Sequence, residues 1–440
     1  VLGLYSLLIS NVDFIVTMDR GLLRKSSIYV INGEVVGLGS KAELLKEFGE
    51  PEDELSGEGK VAIPGLIDSH THLVLTALKG LASDSKDVIY SLYWPVERSL
   101  SKELVFKLAR LGALEAVMGG VTLVNEHYFF AEEIARAIES VGLRGLVGHA
   151  VMTWGGPWVG EDELKEAVSF VRRWLGKSEL ITPTLAPHSP ETVSTSWLEY
   201  LRDLSREYGV LIHMHLAQTE REVKLVKERT GYTPVRLVHK LGLLSNRTVV
   251  THCVFIDSDE LRLLVNSGAI VAQTPSTYLL DGTPYHALSI IKYGGKVVLG
   301  TDAPCYSDGI DMFREMRNLI YSQRLLNRDP TALNAEEVLK IATIRAANYL
   351  GLRGLGIIKE GYRADMVLIS LKHPRMIPVN NVYATVVYAT TSSDVTDVII
   401  NGEVIVRDGK YVRGDAETII KEGNEAAKEL LMRAGVAHTD

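Results

Sequence analysis

"GVLIHMHLAQTEREV", residues 209–223, changes character halfway. An apolar run leads into two histidines, His213 and His215, and then into a charged stretch with helical spacing. An apolar strand followed by a helix is the unit of α/β folds. Polar residues at the junction belong to the carboxyl end of the strand, where α/β proteins place their sites.

The same unit recurs. Working outward, "VAIPGLIDSHTH" (61–72), "VTLVNEH" (121–127), "LRGLVGHA" (143–150), "ELITPTLAPH" (179–188), "VLIHMH" (210–215), "TVVTHCV" (248–254), "AIVAQTP" (269–275) and "KVVLGTDA" (296–303) read as eight strands. Amphipathic stretches such as "KELVFKLARLGALEAVMGG" and "EDELKEAVSFVRRWLG" separate them, several stopping at glycine. Eight βα units predict a (β/α)8 TIM barrel over 61–357, with a doubly wound sheet as the rival. The ends alternate apolar and polar residues instead, and both carry an "INGE" hairpin signal, at 31–34 and 400–403. This predicts a small β-sandwich domain assembled from 1–60 and 358–415, with a C-terminal helix and tail over 416–440.

Composition narrows the function. The chain has 440 residues, 46% hydrophobic and 23% charged, with a net charge of -8. That suits a globular enzyme and disfavours nucleic-acid binding. No apolar run approaches the roughly 20 residues a membrane helix needs. The N-terminal "VLGLYSLLIS" lacks the basic region of a signal peptide. Two cysteines, Cys253 and Cys305, form no CxxC pair and fit a reducing cytoplasm.

Of twelve histidines, eight (70, 72, 127, 149, 188, 213, 215 and 252) fall at or beside a strand's carboxyl end. A barrel brings those ends to one rim. His70 and His72, two residues apart on a strand, point the same way and can share one metal ion. His215 and Asp302 can complete a His3Asp shell for Zn2+, Fe2+ or another first-row ion. His252 and His188 would share that rim, on the metal or facing substrate. His127, His149 and His213, taken singly, read as buried structural or supporting histidines.

"PGLIDSHTHL", "APHSP", "HMHLAQTEREV", "VTHCV", "GTDAPCYSDGIDMFREMR" and "GIIKEGYRADMVLI" occur in the order that resembles the amidohydrolase superfamily. The branch they resemble is that of the methylthioadenosine/S-adenosylhomocysteine deaminases and triazine hydrolases. The resemblance implies one divalent ion per chain, usually zinc and sometimes iron, held by His70, His72, His215 and Asp302. It implies Asp302 as base and His252 as the group that holds or polarises the attacked centre. Glu97, His188 and Arg144 would contact substrate, with Trp154 and Tyr306 on loops facing the pocket. It further implies a homodimer or homotetramer acting on a small heterocycle. The metal would lower the pKa of its water from about 15.7 towards 7, and the resulting hydroxide would attack a C–N bond.

Several positions depart. The loops "TPSTYLLDG" (274–282) and "APCYSDG" (303–309), with Tyr306 where a serine is usual, argue against carrying the adenosine-type substrate over unmodified. One further departure touches the chemistry itself. The resemblance places a proton-donating glutamate after "HLA", and this chain has Gln218. An amide has no transferable proton near neutral pH. Glu126, Glu220 or His252 could supply it. Otherwise the chemistry differs: another leaving group in a dechlorination-type reaction, a cyclic amide, or a catalytically inactive barrel that binds. The simplest reading is an aminohydrolase of a purine-nucleoside-like or triazine- or pterin-like compound.

Overall fold

The computed structural model describes residues 5–436 apart from 83, 85, 86 and 308. Eight parallel strands form its centre: Leu66–Thr71, Val121–Tyr128, Arg144–Val151, Ile181–Pro187, Ile212–Leu216, Thr248–His252, Ile270–Gln273 and Lys296–Leu299. They neighbour one another in chain order. A parallel bridge between Thr71 and Asp302 joins the last strand's end to the first. The Asp302 amide donates to the His70 carbonyl at 2.9 Å. This is the expected (β/α)8 barrel, and the rival doubly wound sheet is excluded.

Most strands are buried on both faces, so they read as near-continuous apolar runs. The helices between them start and stop on local chemistry. Ser101 caps Lys102–Met118, and Gly142, in the left-handed region, ends Ala131–Val141.

The termini build one sheet. Among the described residues it has nine strands. Leu7, Ile9, Ile28 and Val30 from the N-terminal part pack with Met366, Leu368 and Ile399 from the C-terminal part. Both Asn-Gly turns are hairpins with positive φ at each central residue: Asn32 and Gly33 at +48° and +83°, Asn401 and Gly402 at +53° and +78°. The turns touch. A Cβ on Gly402 would lie 2.6 Å from Gly33 Cα, so neither turn tolerates a larger residue.

One strand of the sequence reading is two in the structure. Lys60–Pro64 pairs antiparallel with Met366–Ser370 in the terminal sheet, and Leu66–Thr71 opens the barrel. Gly65 joins them in a gap where a Cβ would meet Thr122 Oγ1 at 2.0 Å. The apolar pattern runs through because both segments are buried. The helix Ala416–Arg433 lies on Lys102–Met118, with Gly423 against Leu111.

Candidate metal centre and substrate pocket

Four strand ends deliver the donor atoms. His70 and His72 come from the first, His215 from the fifth, His252 from the sixth and Asp302 from beyond the eighth. Asp302 sits at φ +62°, His252 at +81°, Cys253 at +50° and Ala217 at +50°. Non-glycine residues in the left-handed region cost energy and gather where a site demands a particular side-chain direction.

The imidazole nitrogens are sorted by their partners. His72 Nδ1 lies 2.7 Å from the His127 carbonyl, and His215 Nδ1 lies 3.0 Å from the His188 carbonyl. Each Nδ1 therefore carries the proton, and each Nε2 is a bare lone pair. Those two Nε2 atoms stand 3.3 Å apart, which as lone pair facing lone pair is repulsive. A tetrahedral Zn2+ site with Zn–N bonds of about 2.05 Å has an edge of about 3.3 Å. Asp302 Oδ1 lies 3.5 Å from Nε2 of both His70 and His72. His70 Nε2 is buried without a hydrogen-bond partner. The donor set thus fits a divalent metal ion.

His252 is of the other kind. Tyr278 Oη accepts from the Thr274 amide at 3.2 Å and can donate its own proton to His252 Nδ1 at 3.3 Å. In that arrangement His252 Nε2 carries a proton and has no hydrogen-bond partner among the described residues. That makes it a donor facing the site, not a ligand, although His70, His252 and Asp302 also converge.

Burial keeps the imidazoles neutral. It pushes His70 and His188 down to about 3 and His252 to about 4, and lowers His72 and His215 as well. Burial alone would raise the Asp302 carboxyl; where a neighbouring imidazole, His70 first, carries the proton, its hydrogen bond and charge lower that carboxyl below its usual range.

A cavity opens over His72, His215 and Asp302, walled by Glu97, His188, Gln218 and Tyr306. Glu97 is buried and accepts a 2.6 Å hydrogen bond from Tyr128 Oη. Burial lifts its carboxyl to about 7, with Tyr128 pulling the other way. His188 Nδ1 is 2.9 Å from Thr192 Oγ1. Gln218 stands where this cavity meets an outer cleft of about 530 Å³. Its turn is held by Glu222, whose carboxylate accepts from the amides of Ala217 at 3.0 Å and Gln218 at 2.8 Å.

Two expected pocket residues are elsewhere. Arg144 begins the third strand, at the barrel end opposite the site. It binds Asp365 at 2.6 and 3.0 Å, Asn401 at 3.1 Å and the Glu179 carbonyl at 2.7 Å. This buried fork ties barrel to terminal sheet. Arg144→Ala removes the ion-pair partner of buried Asp365 and leaves it the Asn401 backbone amide, so a stability loss of about 3–5 kcal/mol is expected. Urea unfolding measures it, and an unchanged KM separates it from a substrate contact. Trp154 also misses the pocket. Its loop is pinned by Thr153 N to the Thr192 carbonyl at 2.8 Å, which turns the indole out to donate to the Glu191 carbonyl at 2.9 Å. Trp94 lines the cavity instead, and Trp158 donates to the Glu97 carbonyl at 3.1 Å.

Of the suggested proton donors, Glu126 is committed to the Leu73 amide at 3.0 and 3.2 Å, and Glu220 lines the outer cleft. Thr277, which the sequence reading did not single out, donates to Asp302 Oδ2 at 2.8 Å. Tyr128 and Glu222 were missed in the same way. Thr277 lies in "TPSTYLLDG", a loop following a barrel strand, which places it near the rim without saying what it faces.

A barrel whose strand ends gather three buried imidazoles and a carboxylate presents the donor set of a metal-dependent hydrolase. The chain belongs to the amidohydrolase family, whose model matches residues 61–405. It is 35% identical over 392 residues to a 5'-deoxyadenosine deaminase of Methanopyrus kandleri, covering 88% of this chain and 91% of that protein. It is 32% identical to a 5-methylthioadenosine/S-adenosylhomocysteine deaminase of Pyrococcus furiosus, covering 91% and 96%. Among solved structures, an adenosine deaminase of Xanthomonas campestris with bound zinc superposes with a TM-score of 0.92 at 27% identity, covering 97% and 99%. An atrazine chlorohydrolase of Arthrobacter aurescens, also with zinc, shares the fold: TM-score 0.85, 21% identity, covering 96% and 100%. No helix among the described residues is long and apolar enough to cross a membrane.

Proposed function

We propose that this chain is a zinc-dependent aminohydrolase that removes an amino group from a purine-nucleoside-like heterocycle. The observation that carries the reading is one cavity joining His72, His215 and Asp302 to Glu97 and His188. The relatives named as deaminases of adenosine derivatives support the substrate class.

When bound, the ion supplies Lewis-acid polarisation and makes water nucleophilic near neutral pH. Asp302 is the base: held by Thr277 at Oδ2 and by the Ala303 amide at Oδ1, its carboxylate accepts the water proton. His252 Nε2–H would donate to the attacking oxygen and hold it against the carbon as that carbon becomes tetrahedral. Glu97 and His188 hold polar substituents of the substrate, a sugar hydroxyl being the simplest. Gln218 orients a ring nitrogen through a hydrogen bond and transfers no proton; the proton taken up by Asp302 passes to the leaving amino group, which departs as ammonia as the C–N bond breaks.

That last point supports a second reading, the hydrolysis of another leaving group or of a cyclic amide. Ammonia release across purine nucleosides, pterins and aminotriazines by the zinc-loaded chain separates the two. An adenosine-like compound is expected to give the highest kcat/KM. Turnover of chlorinated or cyclic-amide substrates without any ammonia-yielding one would replace the first reading by the second. Buried free thiols at Cys253 and Cys305 support a cytoplasmic setting. Assembly as a homodimer or homotetramer rests on the resemblance.

A further inference from the structure

Two of the three ligand imidazoles are oriented by backbone carbonyls, and the third is not. His70 Nδ1 faces no carbonyl. It lies 2.8 Å from His213 Nε2 and 3.0 Å from Thr251 Oγ1. His70 can offer Nε2 to a metal only if Nδ1 carries the proton. Something must accept that proton, and the nearest acceptor is an imidazole.

We propose that His213 is a positioning residue that fixes His70 as a ligand by accepting its Nδ1 proton at Nε2. This rests on the reading of His70 as a metal ligand.

The consequence for His213 follows at once. If Nε2 accepts, the ring proton sits on Nδ1. That atom is buried and has no hydrogen-bond partner. A buried N–H without an acceptor destabilises the fold. The ring therefore contributes nothing polar of its own, and its one polar contact of hydrogen-bond length to a side chain other than Thr251 is the one to His70. The reverse arrangement fails. Were His213 Nε2 to donate, His70 Nδ1 would accept, His70 Nε2 would be protonated, and ligation would be lost. The rings meet edge to face, with centroids 4.9 Å apart at 84°, so Nε2 can point at Nδ1 without stacking. Thr251 lies 3.4 Å from His213 Nε2 and bridges the same pair. Its hydroxyl is the competing acceptor, and the test must separate the two.

His215 shares the strand with His213 two residues on, so both side chains fall on one side of it. One strand thus supplies a ligand of its own and the support for a ligand on the first strand.

The test is Zn2+ affinity of the metal-stripped chain, measured by competition with a chromophoric chelator, with apo-protein unfolding as the fold control. His213→Phe is expected to weaken binding by about 10–100-fold, while His213→Gln, whose amide oxygen can stand near the place of Nε2, stays within about threefold of the parent. Thr251→Val is expected to stay near the parent. Parent-like affinity in His213→Phe, or an equal fall in the Phe and Gln variants, overturns the proposal. So does a loss confined to Thr251→Val. Should His213→Phe fail to fold, proton NMR of the Co2+-loaded chain decides. Three exchangeable imidazole N–H signals are expected, one from each of His70, His72 and His215, and the His70 signal moves in His213→Gln. Two signals, or three that do not move, overturn it. A parent chain that takes up no metal overturns the ligand reading itself, and with it the role of His213.

Discussion

Asp302→Asn is expected to lower kcat/KM by about 10²–10⁴-fold, the range of a lost general base, with the fold intact. The choice of asparagine matters because Asp302 sits at φ +62°. Asparagine is among the few residues that accept the left-handed region readily, whereas alanine would add backbone strain to the loss of the carboxylate. The hydrogen bonds also survive. One oxygen still accepts from the Ala303 amide, and the amide nitrogen faces Thr277 Oγ1, whose hydroxyl can rotate to accept. What disappears is the negative charge and the ability to take a proton. Turnover is read per bound zinc, so that weakened ligation is not mistaken for lost base catalysis. A fall of less than tenfold per bound metal would move the base elsewhere. Glu97, with its carboxyl lifted to about 7, would be the next group to replace.

The barrel was legible because its signal is repetition. Eight apolar strands and amphipathic helices each say little, but their order leaves few folds. The candidate metal ligands were legible for a related reason. Histidines at strand ends share a rim whatever the loops do, so His70, His72 and His215 converge without further information. Partners across elements were not legible. Nothing in the spacing of Thr277, Tyr128 or Glu222 says that they face Asp302, Glu97 or the Gln218 turn. Those contacts depend on loop paths and side-chain directions. Arg144 differs, because its place could have been read. It opens its strand, and in a parallel barrel the opening ends face away from the site. The split at Gly65 was hidden by burial on both sides, which leaves the apolar pattern unbroken across a change of sheet.

Gln218→Glu is expected to raise ammonia release by about 10²–10⁴-fold on heterocycles whose ring nitrogen must be protonated as the carbon is attacked. The substitution is nearly isosteric and leaves its turn alone, since Glu222 grips the backbone amides of Ala217 and Gln218. The new carboxyl would share a cavity with Asp302 and Glu97, with Glu222 behind it and Glu220 and Arg221 towards the cleft. Burial and the neighbouring carboxylates disfavour its ionised form and raise its pKa, with Arg221 opposing them. A raised pKa is what a proton donor needs, because its protonated fraction then persists towards neutrality. The sign of the pH effect follows. The gain is full at pH below the new carboxyl's pKa and fades as pH rises through it, a limb the parent does not have at this position. The pH profiles of kcat/KM for parent and variant, on the same zinc-loaded preparations, carry the test. If no amino-heterocycle gains, the pocket does not present a ring nitrogen to position 218. The glutamine then marks a site fitted to a leaving group that departs without a proton relay, and the second reading of the function becomes the first.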